Sequence, residues 1–174
     1  MATTSALIAC AACAVLVWSG LEKLRNRAPL AETVSALTGS PTFASRAAII
    51  VPGFELATVG VVVLGGPAYL ASAMFVALGV TFATAGAWAW RAGRVIPCAC
   101  FGGTAGRLGL RQAGALPLWL MAAWAALHLG SFTVRERLAV FTWVVVGLGA
   151  ARAVLAMRGC IAARHDRRAL VGGR

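Results

Sequence analysis

Residues 56–90 read LATVGVVVLGGPAYLASAMFVALGVTFATAGAWAW, 35 consecutive positions without a charged side chain. A helix needs roughly 20 apolar residues to cross the hydrocarbon core of a bilayer. The stretch therefore holds two crossings, one on each side of the uncharged turn Gly65-Gly66-Pro67. Backbone groups in lipid must be satisfied within the segment, so helix is the expected form. A closed barrel needs strands of alternating polarity, and this stretch does not alternate.

The same pattern extends outward in both directions. Met1–Leu21 carries no charge, Gln112–Val134 none for 23 residues and Leu138–Ala151 none for 14. The chain of 174 residues is 60% hydrophobic and 12% charged, with a mean hydropathy of +0.84. A soluble globule of this size has too little polar surface available from such a composition to face water. The expected fold is all-α: a polytopic transmembrane helical bundle of about five spans, a four-helix core plus a fifth helix. The spans are placed at about Ser5–Leu21, Ala47–Gly65, Ala68–Trp90, Ala113–Gly130 and Leu138–Met157. Leu30–Leu37 is expected to form a short interfacial helix, stopped by Gly39-Ser40-Pro41.

The net charge of +11 does not imply nucleic-acid binding. Its basic residues sit in the gaps between apolar runs rather than on one face of a soluble fold. They fall in the first connector (Lys23, Arg25, Arg27, Arg46), in the segment Arg91–Arg111 and in the tail from Arg158. With five spans these three segments share one side, so the positive-inside rule predicts a multi-pass protein of the inner (plasma) membrane. Its N-terminus is expected outside, its C-terminus cytoplasmic, and its first span a retained anchor, since no positive charge precedes the apolar run. Trp18, Trp88, Trp90, Tyr69 and Trp143 fall near span ends, where aromatic anchors are enriched.

Three constellations carry chemistry. Cys98 and Cys100 form a C-x-C pair at the mouth of the third span. So short a spacing strains a disulfide, and strained disulfides are oxidising and labile, which suits thiol–disulfide exchange. Arg94 and Arg107 would favour the thiolate, the attacking form. Cys10 and Cys13 share one face of the first span. Small apolar residues for helix packing are the simpler reading there, and a second redox pair the sharper one. Glu55, beyond Pro52-Gly53, is an ionisable group at membrane depth. It serves either proton transfer or a structural ion pair, with Lys23 the candidate partner. Cys160 is a further thiol, and a zinc set of Cys98, Cys100, Cys160 and His165 lacks a second closely spaced ligand pair. No metal and no cofactor is expected, and His128 is given no role.

Residues 5–130 resemble the methylamine-utilisation MauE family, redox-associated membrane proteins related to DoxX-like proteins. Three elements carry the likeness: Ser19-Gly20-Leu21-Glu22-Lys23-Leu24, Pro52-Gly53-Phe54-Glu55-Leu56 and Cys98-Ala99-Cys100-Phe101-Gly102-Gly103, with Arg111 opening the fourth span. Ala99 departs from the family's usual glycine. The resemblance implies a four-helix membrane domain over 5–130; the apolar run and the charges beyond it place a fifth helix over 131–157 and a basic cytoplasmic tail over 158–174. It also implies a helper role in processing, transport or maturation of a disulfide-containing extracytoplasmic client, as for the small subunit of methylamine dehydrogenase. A thioredoxin-like redox partner and the lipid bilayer are the expected associates. Cys98 and Cys100 would exchange with the partner, and Glu55 would tune protonation or packing. Two alternatives stand beside this: a non-redox scaffold or small-solute transporter, and a DoxX-like subunit of a quinone-linked oxidoreductase. The charge rule puts the C-x-C loop inside, whereas disulfide-bearing clients are outside. Re-entry of the loop, relay through Cys10 and Cys13, or failure of the charge rule would resolve this.

Overall fold

The computed structural model describes residues 2–94, 96–98 and 106–151 of the chain. Cys100, Cys160, His165 and the basic tail lie outside the described residues. The elements run α1 (Ala2–Arg25), α2 (Ala28–Thr38), α3 (Pro41–Val63), α4 (Ala68–Arg91), β1 (Pro97–Cys98), β2 (Gly106–Arg107), α5 (Leu110–Gly114) and α6 (Leu116–Leu127). A helical segment over 134–151 follows, here α7. Among the described residues, three helices are long and apolar enough to cross a membrane: Thr3–Arg25, Pro41–Val63 and Ala68–Arg91. The protein is an all-α helical membrane protein.

Its exterior is as apolar as its core. Ile50, Tyr69 and Trp143 are 65%, 74% and 77% exposed, a surface suited to lipid rather than water. The interior is built from small residues. Ala6, Ala9, Cys13 and Leu16 of α1 pack with Val59 and Val62 of α3, Phe75 and Leu78 of α4, and Ala122, Ala125 and Ala126 of α6. Small side chains let membrane helices approach closely, which is how they gain packing energy without a hydrophobic drive. The closest approach is along α4. A Cβ on Gly79 would lie 2.6 Å from Cβ of Trp119, and one on Gly86 would lie 2.7 Å from the carbonyl oxygen of Gly109 and 2.8 Å from Cβ of Gln112. Gly86→Ala is therefore expected to lower stability by about 1–3 kcal/mol through overpacking, read as an earlier midpoint in detergent unfolding followed by circular dichroism.

The structure moves three boundaries. The second span begins at Pro41, not Ala47, because Ser40 caps the helix by accepting the Phe43 N–H at 3.4 Å and Pro41 occupies its first turn. Just inside this start α2 packs on α3, through Leu30 and Ala48. α2 itself spans slightly more than the expected Leu30–Leu37 and ends at Gly39 in the left-handed conformation (φ 73°). The fourth span is broken at Ala115, with Pro117 in the first turn of α6. At 12 residues, α6 alone reaches only about 18 Å. The segment read as a loop after α4 contains a short antiparallel hairpin, pairing Pro97 with Arg107 and Cys98 with Gly106.

α7 is tied to the bundle at its start. Thr133 and Glu136 form a reciprocal cap: the Thr133 N–H and hydroxyl donate to Glu136 Oε2 at 2.8 and 2.9 Å, and the Glu136 N–H donates to Thr133 Oγ1 at 3.3 Å. The Thr133 N–H, and then its hydroxyl, hold the Glu136 carboxyl below its ordinary value. Arg137 donates to the carbonyls of Val62, Leu129 and Phe132 at 3.2, 2.8 and 3.1 Å.

Candidate functional site

The two short motifs in the first and second spans dock onto each other. Gly20 faces α3 so closely that an added Cβ would meet the Leu56 side chain at 3.2 Å and the Pro52 carbonyl oxygen at 3.4 Å. Pro52 also removes one N–H from the interior of α3. That contact brings Ser19 and Lys23, one turn apart on α1, against Glu55. Lys23 Nζ pairs with Glu55 Oε1, and Ser19 Oγ donates to the same oxygen at 3.4 Å. Lys23 is 2% exposed and Glu55 fully buried. Lys23 Nζ also lies 5.2 Å from the ring centre of Phe82 on α4, a cation–π contact. Glu55 Oε2 is buried and has no hydrogen-bond partner among the described residues. The structural ion pair and a proton-transfer role of Glu55 are thus not exclusive. One oxygen is committed to Lys23 and the other is unspent.

Cys98 lies at the same end of the bundle. The sequence placed it in a polar loop; the structure buries it, 6% exposed, in a small apolar cluster with Ala89, Ile96 and Leu108. α2 braces this hairpin. Thr33 Oγ1 donates to the carbonyls of Pro29 and Pro97, both at 2.8 Å, and Arg94 reaches the Ala36 carbonyl at 3.2 Å while its guanidinium lies 5.5 Å from the Trp88 ring. Arg94 is thus engaged away from the sulfur that it was expected to activate. Cys98 is disulfide-bonded, and its partner is outside the described residues.

Gln112 is the residue that sequence reasoning missed. Its Oε1 accepts the Gly109 N–H at 2.8 Å, and its Nε2 donates to Cys98 Sγ at 3.3 Å. The amide orientation is fixed by the first contact and serves the second. The only signal in the sequence was a lone amide at the start of an apolar run.

A cavity of about 630 Å³ joins these parts. Ser19, Lys23, Glu55, Arg111 and Gln112 line its polar end, and Phe82 and Trp119 its aromatic wall. Arg111, noted in the sequence only as a family-like position, is placed here beside Gln112.

Cys10 and Cys13 are elsewhere. Both are free thiols, 1% and 0% exposed. Cys10 is thirteen residues before Lys23 on α1, about 20 Å along the helix axis, and its Sγ lies 4.0 Å from the Arg137 carbonyl oxygen. Their positions are those of core-packing residues at the opposite end from Cys98. His128 Nδ1 donates to the Trp124 carbonyl at 2.9 Å and its ring packs tilted against the Trp124 ring, on the exposed side of α6. Among the described residues no cluster of His, Cys, Asp and Glu could hold a metal ion; three members of the zinc set considered above lie outside them.

No curated protein and no solved structure matches the chain. A family model does: the one described as methylamine utilisation protein MauE matches residues 1–129, which include the Lys23–Glu55 pair and the Cys98 hairpin, and the chain belongs to that family.

Proposed function

We propose that the protein is a membrane thiol–disulfide component that assists maturation of a disulfide-containing extracytoplasmic client, working with a thioredoxin-like partner. One observation carries this: Cys98 is held as a disulfide in a braced hairpin, with a fixed amide N–H donating to its sulfur. Exchange begins when an incoming thiolate attacks one sulfur and the other leaves as a thiolate. A donor at 3.3 Å stabilises negative charge developing on Cys98 Sγ, so Gln112 favours departure of Cys98 as the leaving group. Cys98 and Cys100 are the exchanging residues in this reading. Glu55 holds Lys23 in the wall of the cavity that Gln112 also lines.

The test is a trap. In a Cys98→Ser variant, the Cys100 thiolate attacks a partner or client disulfide, the other sulfur of that disulfide leaves as a thiolate, and no Cys98 thiol remains to resolve the mixed disulfide, which accumulates. Purification under alkylating, non-reducing conditions followed by mass spectrometry identifies what is attached. The expected result is a protein containing a redox-active or structural cysteine pair; recovery of unlinked protein alone would reject exchange. The same trap reads orientation. Lys23, Arg25, Arg27, Arg91, Arg94 and Arg111 all lie at the Cys98 end, which the positive-inside rule assigns to the cytoplasm. A cytoplasmic protein on the hook keeps that orientation and requires a relay across the bilayer. An extracytoplasmic one reverses it, and three of those cations then have other duties: Lys23 in its ion pair, Arg94 on α2 and Arg111 in the cavity.

A further inference from the structure

We infer that the cavity between α1 and α6 binds the head of a bilayer-soluble quinone, which reoxidises the Cys98 dithiol; this rests on the exchange reading above. Exchange with a client's dithiol leaves Cys98 and its partner reduced, and a further turnover needs a two-electron acceptor. The geometry points to where that acceptor sits. Gln112 touches both places, with Nε2 at 3.3 Å from Cys98 Sγ and its side chain in the cavity wall.

The lining has two characters. Its long wall is apolar and runs along lipid-facing helix surface, with Val15, Leu118 and Met121 each partly open to the outside. That wall suits an isoprenoid or alkyl tail entering from the bilayer. Its inner end offers donors and an acceptor together. Lys23 and Gln112 carry N–H groups suited to a quinone carbonyl. Glu55 Oε2, buried with no partner among the described residues, is an acceptor waiting for an O–H, which the quinol has. A buried oxygen left unpaired is costly, so a ligand hydroxyl there is recognised strongly. Phe82 and Trp119, tilted against each other with ring centres 5.8 Å apart, form an aromatic wall beside that polar end, a surface against which a quinoid ring packs. The volume of about 630 Å³ falls within the range of small-molecule sites, roughly 300–1,000 Å³. An acyl chain would fill the apolar wall and leave the polar end unsatisfied.

The step balances. Two S–H bonds break and one S–S bond forms; the two electrons and two protons released convert the quinone's two carbonyls into the two hydroxyls of the quinol. The dithiol is oxidised and the quinone reduced.

The experiment uses the full chain in detergent, reduced with dithiothreitol, freed of reductant and mixed anaerobically with decylubiquinone. Quinol formation is followed by absorbance, protein thiols by alkylation and mass, and occupancy by crosslinking with a photoreactive decylubiquinone analogue. The expected result is one quinol formed per dithiol, with crosslinks on α1 or α6. Two variants narrow the cavity: Ala12→Phe on α1, and Met121→Trp on the exposed side of α6, where folding is least affected. Each is expected to weaken quinone binding and slow quinol formation by about tenfold or more, with helical content unchanged. Absence of saturable crosslinking, absence of quinol, or full rates in both variants overturns the inference. The exchange reading fails separately: quinol forms and the variants slow it, yet the Cys98→Ser trap captures nothing. Conversely, a productive trap with no quinol leaves exchange standing and removes the quinone.

Discussion

Glu55→Leu is expected to destabilise the folded bundle by about 3–5 kcal/mol, the cost of stranding one member of a buried ion pair. Lys23 is then an ammonium group at 2% exposure with only the face of Phe82, 5.2 Å away, to answer its charge. The Lys23 stem cannot easily carry the charge to the interface, because Gly20 and the Pro52–Leu56 contact pin that turn of α1 against α3. Lys23→Met is expected to be destabilising in the same sense, since it leaves Glu55 without its cation. The double variant Lys23→Met, Glu55→Leu removes both charges and fills the space with apolar atoms. Buried ion pairs replaced in this way are often neutral or more stable by about 1–4 kcal/mol. The three midpoints, measured by titrating mixed micelles with SDS and following circular dichroism, give a coupling energy of several kcal/mol for neighbours of this kind. Additive effects of the two single variants would show that the pair is not coupled, and the docking of α1 on α3 would need another cause. If the double variant is stable yet loses exchange, the charges serve the site rather than the fold.

That pair was legible in the sequence, and the reason is physical. In a chain where lipid makes every charge expensive, Glu55 stood out against apolar surroundings, and Lys23, the first cation after the opening apolar run, was its candidate partner although 32 residues separate them. The α3–α4 turn was legible for a similar reason: Gly65-Gly66-Pro67 interrupts an otherwise unbroken apolar run, and α4 begins at Ala68 as expected. The start of α3 was not. Thr42, Ser45 and Arg46 look like connector by hydropathy, but a helix does not stop where the hydrocarbon does, and the Ser40 cap with Pro41 in the first turn starts it ahead of them. The break between α5 and α6 had a signal in Gly114 and Pro117 that apolar continuity masked. The hairpin had none, because two-residue strands leave no alternation to detect. Burial of Cys98 and the Gln112 contact depend on how α2, α4 and α5 meet around the hairpin, which is tertiary information that no local pattern holds. The cavity is likewise a property of five helices at once.

Cys98→Ser is expected to abolish client disulfide formation, a loss of at least about a thousandfold because the reacting atom itself is removed. Chemistry and structure come apart at this position. Serine is smaller than cysteine by the difference between oxygen and sulfur, and its hydroxyl can accept from Gln112 Nε2 as the sulfur does at 3.3 Å. The side chain sits among Ala89, Ile96 and Leu108, and Thr33 still holds the Pro97 carbonyl at 2.8 Å, so the hairpin keeps its braces. Activity should therefore vanish while the unfolding midpoint moves little. Gln112→Leu gives the graded counterpart. It keeps both exchanging residues and removes the donor to Cys98 Sγ, so exchange should slow by about ten- to a hundredfold, the scale of one charge-assisted hydrogen bond to a leaving group. Cys13→Ala supplies the contrast. It removes a fully buried sulfur from the helix interface, should lower the midpoint modestly, and should leave the rate of exchange intact, because that thiol lies at the far end of α1. The rates are read by reducing the protein, supplying a model dithiol peptide and oxidant, and counting alkylated thiols by mass over time. Wild-type rates in Cys98→Ser would show that the bond at Cys98 is structural, and the assignment of chemistry to this hairpin would be withdrawn.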